Sequence, residues 1–199
     1  MSTRNIGLLG ELAVETELVY REWHPVRLDT AQMAANADLI AIKRHQKISI
    51  QVKTTDAITE HSHSKAFGFG NAGAYLNSKV TENIVPFFNS KESPLITDVV
   101  IGVLYKPNSR QFAILPVAMA EKLCRAHADY WHAQPKKDGT THSPLFPVYL
   151  QFDKIRIQHK IHDTMINHNL RRFVDKWDIL DLPTDTLHDP KQWVIQQVL

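Results

Sequence analysis

Asp38, Gln51 and Lys53 are the residues of this sequence whose types and spacing suit chemistry on a phosphate, with Glu11 upstream as a fourth candidate. Asp38 opens the β-rich run Asp38-Leu39-Ile40-Ala41-Ile42. A second run, Ile48-Ser49-Ile50-Gln51-Val52-Lys53, follows the polar turn through Lys43, Arg44, His45 and Gln46. Two such runs joined by a tight basic turn predict a β-hairpin. Alternation along the second strand sets Ile48, Ile50 and Val52 on one face and Ser49, Gln51 and Lys53 on the other. The hairpin register then brings Gln51 and Lys53 beside Asp38. A carboxylate and an amide oxygen are hard donors for a divalent cation such as Mg2+, and a lysine offers a point charge to a phosphate oxygen.

The elements that must hold these residues can be read on either side. Residues 3–23 predict a helix, with Leu9, Leu12, Ala13, Thr16, Val19, Tyr20 and Trp23 on one broad stripe. Glu11, Val14 and Leu18 follow their own helical spacing, so Glu11 shares a side with apolar residues, where a carboxylate is either paired or bound to something. Pro25 is expected to end this helix and Val26-Arg27-Leu28 to begin a strand. Residues 56–93 lose periodicity and read as a loop or inserted flap, in which Phe67, Phe69 and Tyr75 either cover the sheet or fill the core. The run from Asp98 to Tyr105 is apolar on both faces, as in a central buried strand, and Gln111 to Leu115 returns beside it after a turn. Pro116 suits the first turn of a helix over residues 117–132, which carries Met119, Leu123, Ala126 and Tyr130 at helical spacing. Residues 134–147 form a proline-rich loop, residues 148–157 a strand, and residues 161–177 hold a short helix before an acidic tail.

Composition bounds the rest. A chain of 199 residues with 43% hydrophobic residues can bury one sizeable core. The net charge of +2 makes any nucleic-acid contact a matter of local patches. The single cysteine, Cys124, excludes an internal disulfide and lies in an apolar helical pattern, as a core residue does. No apolar run reaches the length of a membrane span, and Glu11, Glu15 and Glu17 argue against a signal peptide, so a cytoplasmic location is expected.

Taken together, Gly10-Glu11 with Val14 and Leu18, then Asp38-Leu39, then Gln51-Val52-Lys53 resemble the PD-(D/E)XK nuclease superfamily in its Gln-x-Lys variant. The likeness covers Gly7 to Thr55. Ala37 stands where that family often has proline, and Gln51 stands where it usually has an acid. Family members with this glutamine include active nucleases, among them some homing endonucleases and resolvase-like enzymes. The resemblance implies an α/β, restriction-endonuclease-like fold: a central mixed sheet flanked by helices, with an inserted flap. The chain is expected to form a single domain over residues 1–199, with a catalytic core at about 3–133 and a C-terminal elaboration at 134–199. It also implies a metal-dependent endonuclease acting on DNA, with Mg2+ as cofactor or Mn2+ in its place, and a homodimer that cuts both strands. Asp38, Gln51 and the carbonyl of Val52 would hold the metal. Glu11 would hold a water or second ion, and Lys53 would orient the attacking water or stabilise the charge at phosphorus. The products would be a 5′-phosphate and a 3′-hydroxyl.

Other polar groups are weaker candidates. Lys43, Arg44 and Lys47 either touch a phosphate backbone or simply solvate a turn, and the pairs Lys136-Lys137 and Arg171-Arg172 pose the same choice. His61 with His63, and His159 with His162, lack a third metal ligand. The alternative function is a catalytically inactive nuclease-fold module that binds nucleic acid or protein. A third is an unrelated α/β protein in which the four site residues do not converge.

Overall fold

The computed structural model describes residues 3–28, 37–56, 66–71, 97–106, 108–143, 147–151, 166 and 168–196. Helix α1 (Thr3–Tyr20) leads into strand β1 (His24–Arg27). Strands β2 (Leu39–Lys43) and β3 (Gln46–Asp56) form the hairpin. Strand β4 (Ala66–Asn71) is followed by β5 (Val99–Lys106), β6 (Ser109–Pro116), helix α2 (Val117–Ala133) and β7 (Pro147–Gln151). A 3-10 turn (Trp177–Asp181) and a short helix α3 (Thr184–His188) complete the described elements. The main sheet has the order β1-β2-β3-β5-β6 and is mixed, since β3 and β5 run parallel while the other neighbours are antiparallel. Strands β4 and β7 pair separately. This is a mixed α/β architecture, a central mixed sheet flanked by helices. Among the described residues no helix is long and apolar enough to cross a membrane.

The core follows from strand chemistry. Ile48, Ile50, Val99, Ile101, Val103, Ile114 and Leu115 are fully or almost fully buried in β3, β5 and β6, and β-branched side chains suit a pleated surface covered on both faces. Helix α1 packs its buried Ala13, Val14 and Leu18 against this sheet. At Gly10 the approach is closest: a Cβ there would lie 1.8 Å from Thr54 Oγ1. Any larger residue would push the helix off β3. Gly102 does the same on β5, where a Cβ would lie 2.7 Å from the Phe67 ring of β4.

Three expectations are corrected. Helix α1 stops at Tyr20, before Pro25, which lies inside β1. The stop is a Schellman arrangement: Glu22 takes a left-handed φ of 64°, its N–H bonds the Val19 carbonyl, and the Trp23 N–H bonds the Leu18 carbonyl. Buried Trp23 and Leu18 supply the hydrophobic contact of that motif. Residues 66–71, expected as loop or flap, form β4, with Phe67 and Phe69 buried as core and Gly68 facing out. Pro116 ends β6 and precedes α2 as its N-cap residue, outside the helix. The strand expected over 148–157 is described as Pro147–Gln151, and helical backbone occurs at 168–171. His61, His63, Tyr75, His159 and His162 lie outside the described residues. Cys124 is buried in α2.

The C-terminal segment closes the far edge of the sheet. Ala113 bridges Val174, the Ile114 N–H donates to the Phe173 carbonyl (2.9 Å), and the Asp175 N–H donates to the Phe112 carbonyl (2.7 Å). This covers β6, whose free edge would otherwise invite pairing with another chain. The Trp177 ring then packs edge-on against Phe112 at 5.1 Å between centroids.

Candidate active site

The two ends of the β2–β3 hairpin differ in length, and that difference makes the site. The β2–β3 ladder ends at Leu39 opposite Ile50, and β1 ends at Arg27 opposite Leu39. Strand β3 continues beside β5 to Asp56. Six further residues of extended chain add about 20 Å, so the edge of β3 from Gln51 onward has no strand on its β2 side among the described residues. Asp38 stands at the inner corner of this step.

Backbone hydrogen bonds fix Asp38 there. Its N–H donates to the Ile50 carbonyl (2.8 Å), and its own carbonyl accepts from the Leu28 N–H (3.0 Å). Its carboxylate accepts the Val52 N–H at 2.6 Å. A residue's N–H and C=O point to the same side of a strand. The carbonyl of Val52 therefore also faces the open step beside Asp38. Alternation turns Thr54 toward α1, as its contact with Gly10 requires, and Gln51 and Lys53 toward the other face. The Asp38 carboxylate lies between, at the strand edge.

The electrostatics describe a cluster with Asp38 at its centre. Burial raises the Asp38 carboxyl above the usual carboxylate range, opposed by the Val52 N–H and by the Lys53 ammonium. Glu11 is raised as well, by burial first and then by the Asp38 charge, while Arg27 pulls it down and Glu15 adds to the rise. Lys53 thus acts on Asp38, and Asp38 acts on Glu11. The Oε1 of Gln51 is buried and has no hydrogen-bond partner among the described residues. Thr54 Oγ1, beneath Gly10, is also buried without a partner among the described residues. Leaving a buried polar atom unsatisfied costs about 1–3 kcal/mol; Gln51 Oε1 and Thr54 Oγ1 lie on opposite faces of β3, and Trp177 Nε1 is buried without a partner among the described residues as well. Among the described residues no three His, Cys, Asp or Glu side chains gather as metal ligands. Here the carboxylates are two, and further oxygens come from an amide and a backbone carbonyl.

The other sequence candidates lie elsewhere. Lys43 and Lys47 flank the hairpin turn, at the end of the hairpin away from Asp38, and Arg44 occupies it with a φ of 54°. Lys43 is engaged, 3.3 Å from Asp181 and over the Trp23 ring at 5.5 Å. Lys136 and Lys137 are exposed in a tight turn that uses Gly139 at φ 80°. Arg171 is exposed, whereas Arg172 donates to the Val194 carbonyl (3.2 Å) and lies over Phe173.

Two groups near the hairpin escaped the sequence reading. Ser49, Asp98 and His188 are the residue types of a nucleophile triad, but their geometry is that of a strut. The Ser49 hydroxyl and N–H donate to one oxygen of Asp98 (2.9 and 2.7 Å), and His188 Nε2 meets the other (2.7 Å). Serine and imidazole do not meet, and Ser49 is buried; a nucleophile needs its base within hydrogen-bond reach. The trio ties α3 to β3 and to the residue that precedes β5. The second group is Arg27, which reaches both Glu11 and Glu15. Its only sequence signal was its place at the end of a short strand.

No family model matches the sequence, and no curated protein matches it. Among solved structures the chain is similar to a bacterial homing endonuclease, with a TM-score of 0.43 and 13% identity over 90% of this chain and 91% of that one.

Proposed function

We propose that the step beside Asp38 is the active site of a Mg2+-dependent endonuclease of the PD-(D/E)XK type, hydrolysing phosphodiester bonds in DNA. One observation carries this reading: the Asp38 carboxylate, whose ionised form is destabilised, stands at the edge of β3 between the face of Gln51, whose buried Oε1 has no hydrogen-bond partner among the described residues, and the face covered by α1 with Glu11. A hard divalent cation answers each of these defects, since it accepts neutral and anionic oxygens alike and its charge offsets theirs. The donor set fits. Asp38, Gln51 Oε1 and the Val52 carbonyl would hold the ion directly, and Glu11 would hold one of its waters or a second ion; Mn2+ would serve in place of Mg2+. When bound, the ion supplies a water of lowered pKa and positive charge on the scissile phosphate.

The chain's own residues do the rest. Asp38 is held by two backbone bonds and accepts a third, so it needs no rearrangement to present its remaining lone pairs. Lys53, whose charge is felt at Asp38, would steady the attacking water by hydrogen bonding or meet the negative charge that grows on the phosphate oxygens. Glu11, across Asp38 from Lys53, would accept a hydrogen bond from water on the opposite flank. Gly10 matters indirectly, because it sets how closely the helix bearing Glu11 approaches β3. Each protomer would cut one strand, and a two-fold dimer would cut both.

The test is cleavage of plasmid and branched DNA by purified protein in Mg2+ or Mn2+, with Lys53→Ala in parallel. Cleavage by the parent and none by the variant is expected. A second reading, a nuclease fold that binds nucleic acid or protein without cutting, draws on the site having only two carboxylates. It predicts no cleavage of any DNA and no metal uptake by calorimetry, and that pair of results would replace the first reading.

A further inference from the structure

Arg27 is the last residue of edge strand β1, opposite Leu39 and so next to the corner that holds Asp38. Its guanidinium grips Glu15 with two donors, Nε and Nη2 both lying 2.7 Å from the same oxygen. The third nitrogen, Nη1, lies 3.9 Å from Glu11 Oε2, close enough to feel its charge but beyond a hydrogen bond. Glu11 and Glu15 are one helical turn apart on α1, so a single arginine spans them. Its side chain keeps 37% exposure. A strut between β1 and α1 would be complete with Glu15 alone. Instead the guanidinium is anchored on one edge and offers the N–H groups of Nη1, which have no hydrogen-bond acceptor among the described residues.

We infer that Arg27 is a phosphate-binding residue of the site, tethered by Glu15 and passed from Glu11 to a non-reacting phosphate of the nucleic-acid backbone. The inference rests on the endonuclease reading and deepens it by naming how the substrate is held on the β1 side. Glu15 keeps the side chain extended toward the step, so little rotamer freedom is lost when a phosphate arrives. Glu11 holds Nη1 only loosely, and once its carboxylate serves the metal or its water, the guanidinium fork is left facing outward. Two N–H groups on one nitrogen, with a second nitrogen in the same plane, match the spacing of phosphate oxygens better than any lysine nearby.

The experiment is DNA binding by the full chain, read by fluorescence anisotropy of a short labelled duplex in Ca2+, a hard cation that takes the same oxygen donors. Affinity is followed from about 50 to 200 mM salt, because each phosphate contact contributes about 0.9 to the slope of log K against log salt. Arg27→Ala should weaken binding several-fold at low salt and reduce that slope by about 0.9, while leaving Mn2+ uptake by calorimetry unchanged. Arg27→Lys should keep the slope and recover part of the affinity. Lys47→Ala, at the other end of the hairpin, should change the slope less than Arg27→Ala. An unchanged slope for Arg27→Ala would reduce Arg27 to a strut, and an equal loss from Lys47→Ala would mean a diffuse basic surface; either overturns the inference. Loss of Mn2+ uptake in Arg27→Ala would make it an organiser of Glu11 and overturn the phosphate role as well. If the parent takes up neither Mn2+ nor DNA, the endonuclease reading itself falls, and the inference with it. Should Arg27→Ala melt below the assay temperature, Arg27→Gln keeps most of the packing stem and removes the charge, with the same expected slope.

Discussion

Strand β3 carries two glutamines five residues apart, and they live in opposite circumstances. Gln46, at the hairpin turn, donates both amide hydrogens to carbonyls of the C-terminal segment, Leu180 at 2.9 Å and Leu182 at 2.8 Å. Gln51, at the step, buries an amide oxygen with no partner among the described residues. The cations differ in the same way. Lys43 near the turn is matched by Asp181 and the Trp23 ring, while Lys53 faces Asp38, whose carboxylate burial destabilises. One strand thus has a finished end and an unfinished one. Native proteins satisfy nearly all buried polar groups, and they break local rules mainly where function demands it. The turn is a joint between hairpin and tail; the step leaves polar groups that the proposed cation would satisfy.

The largest effect should separate the two lysines. Lys53→Ala should lower cleavage by at least about 10²–10³-fold, the size of removing one preorganised charge from a reacting phosphate. Its melting curve should stay within about 0.5 kcal/mol of the parent. Lys43→Ala should do the reverse, costing at most about 1 kcal/mol for an exposed ion pair and leaving cleavage intact. Equal activity loss from both would erase the distinction between the ends.

Next in size is Gly10→Ala. The new Cβ meets Thr54 at 1.8 Å from Oγ1 and 2.8 Å from its two carbons, so helix and strand must part. Overpacking of this kind costs about 1–3 kcal/mol, and Glu11 moves with the helix. Urea denaturation and Mn2+ calorimetry on the same sample should both report a loss. A variant that loses stability but keeps its metal affinity would show that Glu11 is dispensable for binding.

The glutamines themselves give a smaller and opposite pair. Gln46→Ala strands two carbonyls and should cost about 1–2 kcal/mol without touching metal uptake. Gln51→Met replaces the unpartnered amide with an apolar chain of similar length. The metal-free variant should be as stable as the parent or up to about 1 kcal/mol more stable, with metal uptake weakened. If Gln51→Met were as destabilising as Gln46→Ala, its oxygen would have a structural partner after all.

How far the sequence foretold this follows from how local each feature is. The hairpin and the neighbourhood of Asp38, Gln51 and Lys53 rest on a two-residue turn and a period of two, both visible within sixteen residues. Val14 and Leu18 mark the buried side of α1 by their own spacing, whereas the broad stripe read through Leu12, Val19 and Tyr20 is exposed at those three residues. The end of α1 was not legible, because its left-handed cap is Glu22 and lacks the glycine that usually signals one. Strand β4 was hidden for a different reason: its partner β7 lies far along the chain, and alternating glycine in Phe67-Gly68-Phe69 looks like a turn until the aromatics are seen to share a buried face. Arg27 needed two long-range facts at once, the pairing of β1 with β2 and the packing of α1 on the sheet. The unpartnered state of Gln51 is a property of the fold and has no sequence signature.

The smallest effect is also the sharpest on the electrostatics. Burial raises the folded-state pKa of Asp38, and burial with the Asp38 charge raises that of Glu11, against ordinary values of 3.8 and 4.5. A native state that holds protons more tightly than the unfolded chain loses stability as pH rises. The favourable contribution of these two groups is therefore full below the ordinary carboxylate range and is lost as pH passes through their raised folded values. Above those values both charges are a standing cost. Asp38→Asn keeps an oxygen for the Val52 N–H, removes one charge and relieves Glu11. In chelator its melting temperature at about pH 7 should exceed the parent's by about 2–4 °C, the shift that 1 kcal/mol produces in a chain of this length, and the gap should close as pH falls below the carboxylate range. Mg2+ should raise the parent's melting temperature and leave the variant's nearly unmoved, reversing their order. A metal-free variant less stable than the parent at neutral pH would mean that the Asp38 charge is already satisfied within the chain, and the unfinished end of β3 would then be no different from the finished one.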